Sequence, residues 1–371
     1  MKIGTDQYNT FDTMTMDCWN DRVYYEGKEF PAGQFAAEIL NFAGVIHDPL
    51  LERITVLTAL VDDLSTAEKS KRHDIAAQLK PLLHDTVSWL YTCPPFCYCE
   101  SQDAYEDLGY ALSEERLDRD YEEDEAHLPF MALSFCEPIL RILVAIYNFC
   151  LLIRAFEMKY LRRSKRRNAD AFAKAAHECF DEDDSFLILL EQMPFGGVEE
   201  FFSYPRVITG FNYFQDENNE EKWKTAQRVI CRRAIDFYVF DLMNGLHHGH
   251  APSQCQGCGR YFLTTNGHIP KYCDGIAPQD SRYTCRQYGA MKHQKEQNKQ
   301  HPVYRLFNTR TDTIRKHHWR GKISDELRQE ALCLAGNYRD KALMNNDYAA
   351  DGYARDMELE HIYAEAEKRL K

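Results

Sequence analysis

The spacing of four cysteines constrains this chain more than any other feature of its sequence. Gaps of 2, 14 and 11 residues separate Cys255, Cys258, Cys273 and Cys285. Two thiolates two residues apart can bind one ion, because a tight turn directs both sulfurs inward and Gly257 and Gly259 give the backbone freedom to form that turn. Four cysteines complete a tetrahedral zinc site and leave no position for water. We therefore predict a structural Zn²⁺ site, not a catalytic one.

The residues between the cysteines predict the local fold. Phe262 and Leu263, a turn at residues 266–267, and the apolar residues that follow it are typical of a hairpin. Cys273 would close this hairpin, and Cys285 would begin a helix. The tight turn that carries the first two cysteines is called a knuckle. A knuckle, a hairpin and a helix that share one zinc ion form a treble-clef finger.

These residues also resemble a known family. The run Cys255-x-x-Cys258-Gly-Arg-Tyr-Phe, the basic and aromatic residues before Cys273, and Cys285-Arg at the start of a basic helix are similar to the CGNR-type zinc fingers. The similarity is closer to an uncharacterised group of bacterial proteins with the same C-terminal finger and a helical tail. It covers about residues 225–345. It implies a helical N-terminal domain and a bacterial, DNA-binding transcription regulator, although residues 285–288 replace the family's Cys-Gly-Asn-Arg.

The remaining sequence predicts a mainly α-helical protein. Apolar residues recur every three or four positions in the long segments of the N-terminal part, which predicts helices over residues 34–90, 128–158 and 222–246. Only residues 21–30 favour a short pair of strands. Ser324 is a typical N-cap for the first of two tail helices. We expect a mainly helical domain over residues 1–246, the zinc finger over 251–300 and a helical extension over 301–371.

The charge of the chain is divided unevenly. The net charge is -13, but residues 251–322, here called the basic segment, contain 13 Lys and Arg against four Asp and Glu. The resulting charge of +9 can neutralise several phosphates, so we predict salt-dependent binding of DNA or RNA. If Cys285 begins a helix, one of its faces carries Tyr288, Lys292, Lys295 and Lys299. The predicted nucleic-acid-binding residues are Arg260, Lys271, Arg282, Arg286, Lys292, Lys295, Lys299, Arg305, Arg310 and Arg315.

An acidic segment, residues 101–127, leaves another interpretation open. It contains eleven Asp and Glu against two Arg. Such a run is typical of an exposed helix or loop, and it could also bind a protein partner or the chain's own basic segment. In that case the zinc site would only stabilise the fold of a protein-interaction module.

Two other clusters could carry chemistry. Cys93, Cys97 and Cys99 could bind a second metal if a fourth ligand joined them, or they could pack as small apolar side chains. His247, His248 and His250 lie in a predicted linker, where a solvated cluster is expected. The sequence lacks the common phosphate-binding, dinucleotide-binding, serine-hydrolase and metalloprotease motifs. An enzyme, such as a nuclease in the helical domain, stays a third hypothesis.

The sequence predicts no membrane partner. The N-terminus has no apolar region typical of a signal peptide. The most apolar stretch, residues 142–153, is shorter than the roughly 20 residues that a spanning helix needs. We therefore expect a cytoplasmic protein.

Overall fold

The computed structural model describes residues 13–43, 49–99, 102–123, 126–164, 166–191, 206–216, 219–265, 267 and 270–370. The chain divides into two compact units, residues 1–271 and 272–371. Both helices and strands build the first unit.

The expected fold class, mainly helical with a treble clef, is wrong. Helices form 64% of the structure, but strands form 15%, and the first unit contains a five-stranded antiparallel sheet that is not a treble clef. Its strands are β1 (Met14–Trp19), β2 (Arg22–Tyr25), β3 (Lys28–Pro31), β6 (Val207–Asp216) and β7 (Asn219–Cys231), in the order β3-β2-β1-β7-β6. Strands β4 (Tyr121–Glu123) and β5 (Ala126–Leu128) form a separate hairpin.

Alternating side chains explain the sheet. In β1, Met14, Met16 and Cys18 point to one face and are buried, and Met16 lies opposite the buried Val229 of β7. This period of two residues is that of a half-buried strand. The predicted strand pair is confirmed as β2 and β3. The predicted helix over residues 222–246 is correct only in its second half. Strand β7 continues to Cys231, and the helix begins at Ala234.

Nine helices pack against this sheet and against one another within the described part of the first unit. The helices are α1 (Gln34–Ile39), α2 (Pro49–Thr66), α3 (Lys69–Leu90), α4 (Gln102–Ala111), α5 (Glu114–Leu117), α6 (Phe130–Lys159), α7 (Ala169–Phe180), α8 (Asp184–Glu191) and α9 (Ala234–His247). The apolar helix α6 contacts α2 and α9, and the rings of Phe149 on α6 and Tyr238 on α9 lie 5.3 Å apart in the core.

One helical stretch among the described residues, Phe130–Arg163, is long and apolar enough to cross a membrane. Of its 18 most apolar consecutive residues, 61% are buried inside the protein. A buried core helix has the same length and composition, so this feature is weak support for a membrane span.

The second unit consists of a short hairpin, five α-helices and one turn of π-helix at Tyr348–Gly352 within the described part of the chain. Buried side chains on four of the helices, including Ile314, Leu334, Tyr353 and Ile362, form its core. Leu327 N donates to Ser324 Oγ at 3.2 Å, which confirms the predicted N-cap. The elements are β10 (Ile276–Ala277), β11 (Asp280–Thr284), α10 (Cys285–Gln300), α11 (Pro302–Trp319), α12 (Asp325–Met344), α13 (Tyr353–Asp356) and α14 (Leu359–Leu370).

Candidate metal centre

The first two cysteines lie in the turn of a hairpin. Strands β8 (Ala251–Gln254) and β9 (Tyr261–Thr264) pair antiparallel, and the chain between them contains Cys255 and Cys258. Cys255 N donates to Arg260 O at 2.8 Å, and Gly259 N donates to Cys255 O at 2.9 Å. Gly259 has φ of +76°, a conformation that favours glycine. This turn fixes both cysteine backbones in the knuckle that the spacing predicts.

The predicted hairpin is therefore in a different place. We expected its turn at residues 266–267, between the second and third cysteines. The observed hairpin turns at the knuckle itself, because residues 251–254 before Cys255 supply the partner strand. Residues 266, 268 and 269 lie outside the described part of the chain.

Polar side chains fix this hairpin to the helical core of the first unit. The side chain of Asn41 accepts from Tyr261 N at 2.7 Å and donates to Tyr261 O at 3.0 Å. Arg167 donates to Pro252 O at 3.3 Å, and His250 Nδ1 lies 2.9 Å from Ala32 O. Each backbone group that is held in this way limits the movement of the knuckle.

The other two cysteines are linked by their backbones. Arg286 N donates to Cys273 O at 3.1 Å, and Cys285 N donates to Gly275 O at 2.8 Å. The β10–β11 hairpin occupies the chain between them. Cys285 is the first residue of α10, so the predicted helix start is confirmed.

One packing contact beside Cys273 is not apparent from the sequence pattern. Gly289, in the second turn of α10, lies against the ring of Tyr272, and a Cβ added at Gly289 would be 2.4 Å from Cε2 of that ring. A helix needs glycine at its interior only where a neighbour approaches closely, since glycine is unfavourable there. A glycine at position 289, inside the predicted helix, is the one feature of the sequence that could have indicated this contact.

The four sulfurs form a compact group. Every pair of Sγ atoms in the cysteine cluster, meaning Cys255, Cys258, Cys273 and Cys285, lies within 4.8 Å. Three of the residues are buried, and Cys258 is partly exposed. Tetrahedral zinc with Zn–S bonds of about 2.3 Å places its sulfurs about 3.8 Å apart. The cluster therefore fits one tetrahedral metal ion and could bind it.

The local backbone also suits thiolate ligands. Gly257 N donates to Cys255 Sγ at 3.3 Å, a hydrogen bond that stabilises negative charge on sulfur. Four cysteine ligands would leave no coordination position for water or substrate. The chemistry that such a donor set supports is structural.

The predicted nucleic-acid-binding residues fall into three groups. Arg282, Arg286 and Arg315 form ion pairs with Asp280, Asp274 and Asp312 at 2.8, 3.0 and 3.1 Å. Arg310 is partly buried, and the side chain of Lys299 lies outside the described residues. The exposed residues without an ion pair to another described side chain are Arg260, Lys271, Lys292, Lys295 and Arg305.

Part of the acidic segment has partners within the first unit. Asp120 pairs with Lys69 at 2.9 Å and with Arg72, while Asp118 Oδ1 lies 2.9 Å from His73 Nε2. These partners all lie on α3. The structure thus assigns a local role to these two acids, and a protein partner for the segment stays a prediction.

The second cysteine group does not form a metal site in the described chain. Within that part of the chain, only the cysteine cluster brings at least three potential metal ligands together. Cys93 is buried, and burial raises the pKa of its thiol to about 12. Cys99 Sγ lies 3.2 Å from Tyr25 Oη. Cys93 and Cys99 pack as neutral side chains, while Cys97 is exposed. Among the histidines of the expected solvated cluster, His247 and His248 are exposed and only His250 is buried.

Comparison with known proteins adds one finding. No curated protein and no solved structure matches the chain. A family model covers residues 203–369, which include β7, the cysteine cluster and the second unit. The CGNR type of zinc finger is not confirmed. Over this part the chain is similar to DUF6076, a family of unknown function.

Proposed function

We propose that the chain binds nucleic acid through its basic segment and that a structural zinc ion in the cysteine cluster holds the central part of that segment in place. The cluster would take Zn²⁺ because four thiolates in tetrahedral arrangement suit this ion. The bound ion would supply cross-linking of the peptide, with no role as a Lewis acid.

The observation that carries the proposal is the exposed positive charge around the cluster. Arg260 and Lys271 lie between the second and third cysteines, and Lys292 and Lys295 lie three residues apart on α10. All four are exposed, and none forms an ion pair with another described side chain. Cations without an acidic partner, held on an ordered backbone, favour the binding of phosphate groups, because counterions are released from the nucleic acid on binding.

Two lysines on α10 provide the sharpest test. Fluorescence anisotropy of the full chain with labelled duplex and single-stranded oligonucleotides, from about 0.05 to 0.2 M salt, measures affinity and its salt dependence. Replacing Lys292 and Lys295 by Gln should reduce the salt slope by about 1.8 for duplex DNA, since each lost phosphate contact contributes about 0.9.

Lys71 and Lys80 are the matched control, because they are exposed lysines on another helix, α3. Their replacement by Gln changes the net charge equally and should leave the slope unchanged. If both double variants behave alike, or if the chain binds no probe at low salt, the proposal is wrong. The protein-interaction hypothesis would then be favoured, because three basic residues already pair with acids of the chain itself.

A further inference from the structure

We propose that Trp319 is a stacking platform for an unpaired base, and that the nucleic acid bound by the basic segment is single-stranded. Trp319 is the last residue of α11, and 84% of its surface is exposed. Tryptophan is on average a highly buried residue. Its exposure at an ordered helix end, away from the core of the second unit, leaves the face of the indole open to a ligand. This inference rests on the proposed function.

The helix end that carries Trp319 is fixed by hydrogen bonds. Gly321 has φ of +69°, and its N–H donates to His318 O at 2.8 Å, while Lys322 N donates to His317 O at 2.9 Å. His317 Nδ1 also lies 2.8 Å from Tyr363 Oη on α14. These contacts hold the backbone on both sides of Trp319, so an indole there is presented with little loss of conformational freedom on binding.

The charges around Trp319 indicate which partner it would contact. Between Asp312 and Asp325 the chain contains no acid and four cations, namely Arg315, Lys316, Arg320 and Lys322. Lys316 precedes Trp319 by three residues and therefore lies on the same side of the helix. Arg315 pairs with Asp312, but Lys316, Arg320 and Lys322 are exposed and pair with no described acid.

An aromatic face beside several cations is the combination that binds single strands. The cations contact the phosphates, and a base stacks on the ring. In the interior of a duplex the faces of the bases are covered by their neighbours, so an exposed indole stacks most readily on an unpaired base. A protein partner would also bury an exposed tryptophan, but Lys316, Arg320 and Lys322, which pair with no described acid, favour a polyanion.

The test compares an oligothymidylate of about 12 nucleotides with a duplex of equal length, using the full chain and fluorescence anisotropy. Trp319→Ala should weaken single-strand binding about 5- to 150-fold, the range for loss of one base–aromatic stack. Trp319→Phe should retain part of the affinity because it keeps an aromatic face. Duplex binding and the salt slope should not change, since no charge is removed.

Trp223→Ala is the matched control, because Trp223 is a 65% exposed tryptophan on β7 in the first unit. It should bind both probes as the unaltered chain does. If Trp319→Ala binds the oligothymidylate normally, or weakens both probes equally, the inference is wrong although the proposed function stands. If the unaltered chain binds neither probe, the proposed function itself fails. A self-association that Trp319→Ala abolishes would place the indole in a protein interface and overturn the inference.

Discussion

A methyl group added at Gly289 tests the packing that positions Cys273. In Gly289→Ala the new Cβ would lie 2.4 Å from Cε2 and 2.6 Å from Cδ2 and Cζ of Tyr272. Ordinary contact distances are 3.4–4 Å, so the ring must move by about 1 Å. Overpacking of this kind costs about 1–3 kcal/mol. Because Tyr272 directly precedes Cys273, the moved ring would also displace a predicted metal ligand.

Gly336 provides the reference for this substitution. It lies inside helix α12, and an added Cβ would meet nothing within 4 Å. Gly336→Ala should therefore show only the gain in helix propensity, which raises the free energy of unfolding by about 1 kcal/mol. The same gain applies to Gly289→Ala, so the two variants should differ by about 1–3 kcal/mol, the overpacking cost alone.

Thermal unfolding measures the loss of stability, and the rate of metal release to a chelator measures the displacement of Cys273. Gly289→Ala should unfold at lower temperature than Gly336→Ala and release metal faster than the unaltered chain. In a chain that already carries Tyr272→Ala, the ring is truncated, and adding Gly289→Ala should then cost little, because the two residues are in contact. Equal stabilisation by both glycine substitutions would refute the packing described for α10.

Two further predictions concern the first unit. Asn41→Ala removes both hydrogen bonds to the backbone of Tyr261, so we expect unfolding to become easier by about 1–3 kcal/mol in a urea titration; unchanged stability would show that the hairpin does not depend on Asn41. Burial raises the pKa of Asp241 from 3.8 to about 7, although Gly33 N and Ala36 N donate to its carboxylate. A raised pKa stabilises the fold at low pH, and this contribution is lost as the pH rises towards about 7. Between about pH 5 and 6.5 the unaltered chain should therefore lose about 2 kcal/mol relative to Asp241→Asn; parallel pH profiles would contradict this.

Local patterns predicted the parts of this fold that depend on neighbouring residues. The strand pair after Asp21, the N-cap at Ser324 and the helix that begins at Cys285 all follow from sequence within a few positions. The cysteine spacing likewise led to the four sulfurs that lie together. Turns, caps and ligand spacing are set by short-range geometry, so they can be inferred before the fold is known.

The five-stranded sheet depends on contacts that no local pattern contains. Strand β1 pairs with β7, and Met16 lies opposite Val229 although more than two hundred positions separate them along the chain. In β7, Val229 also fits a helical apolar stripe with Ile235, which led to a helix that begins too early. Periodicity does not distinguish strand from helix in a short apolar run. The pairing with β1 and β6 determines the outcome.

The candidate site shows the same division. The four cysteines of the cluster could be named from their spacing, but the position of the hairpin could not. Its first strand precedes Cys255, and the hairpin is held by Asn41 and Arg167 from distant parts of the chain. Charge counting identified the basic segment. It could not show that Arg282 and Arg286 pair with nearby acids, since pairing depends on side-chain geometry.

Metal content per chain tests the central claim most directly. The full chain, Cys258→Ser and Cys333→Ser are purified alike, and their zinc is measured by elemental analysis against protein concentration. Cys333 is an exposed cysteine on α12 outside the cysteine cluster and is the matched control. We predict one zinc ion per chain in the unaltered protein and in Cys333→Ser, and much less in Cys258→Ser. A chain without zinc, or equal zinc in all three proteins, would contradict the assignment of the cysteine cluster as the metal site.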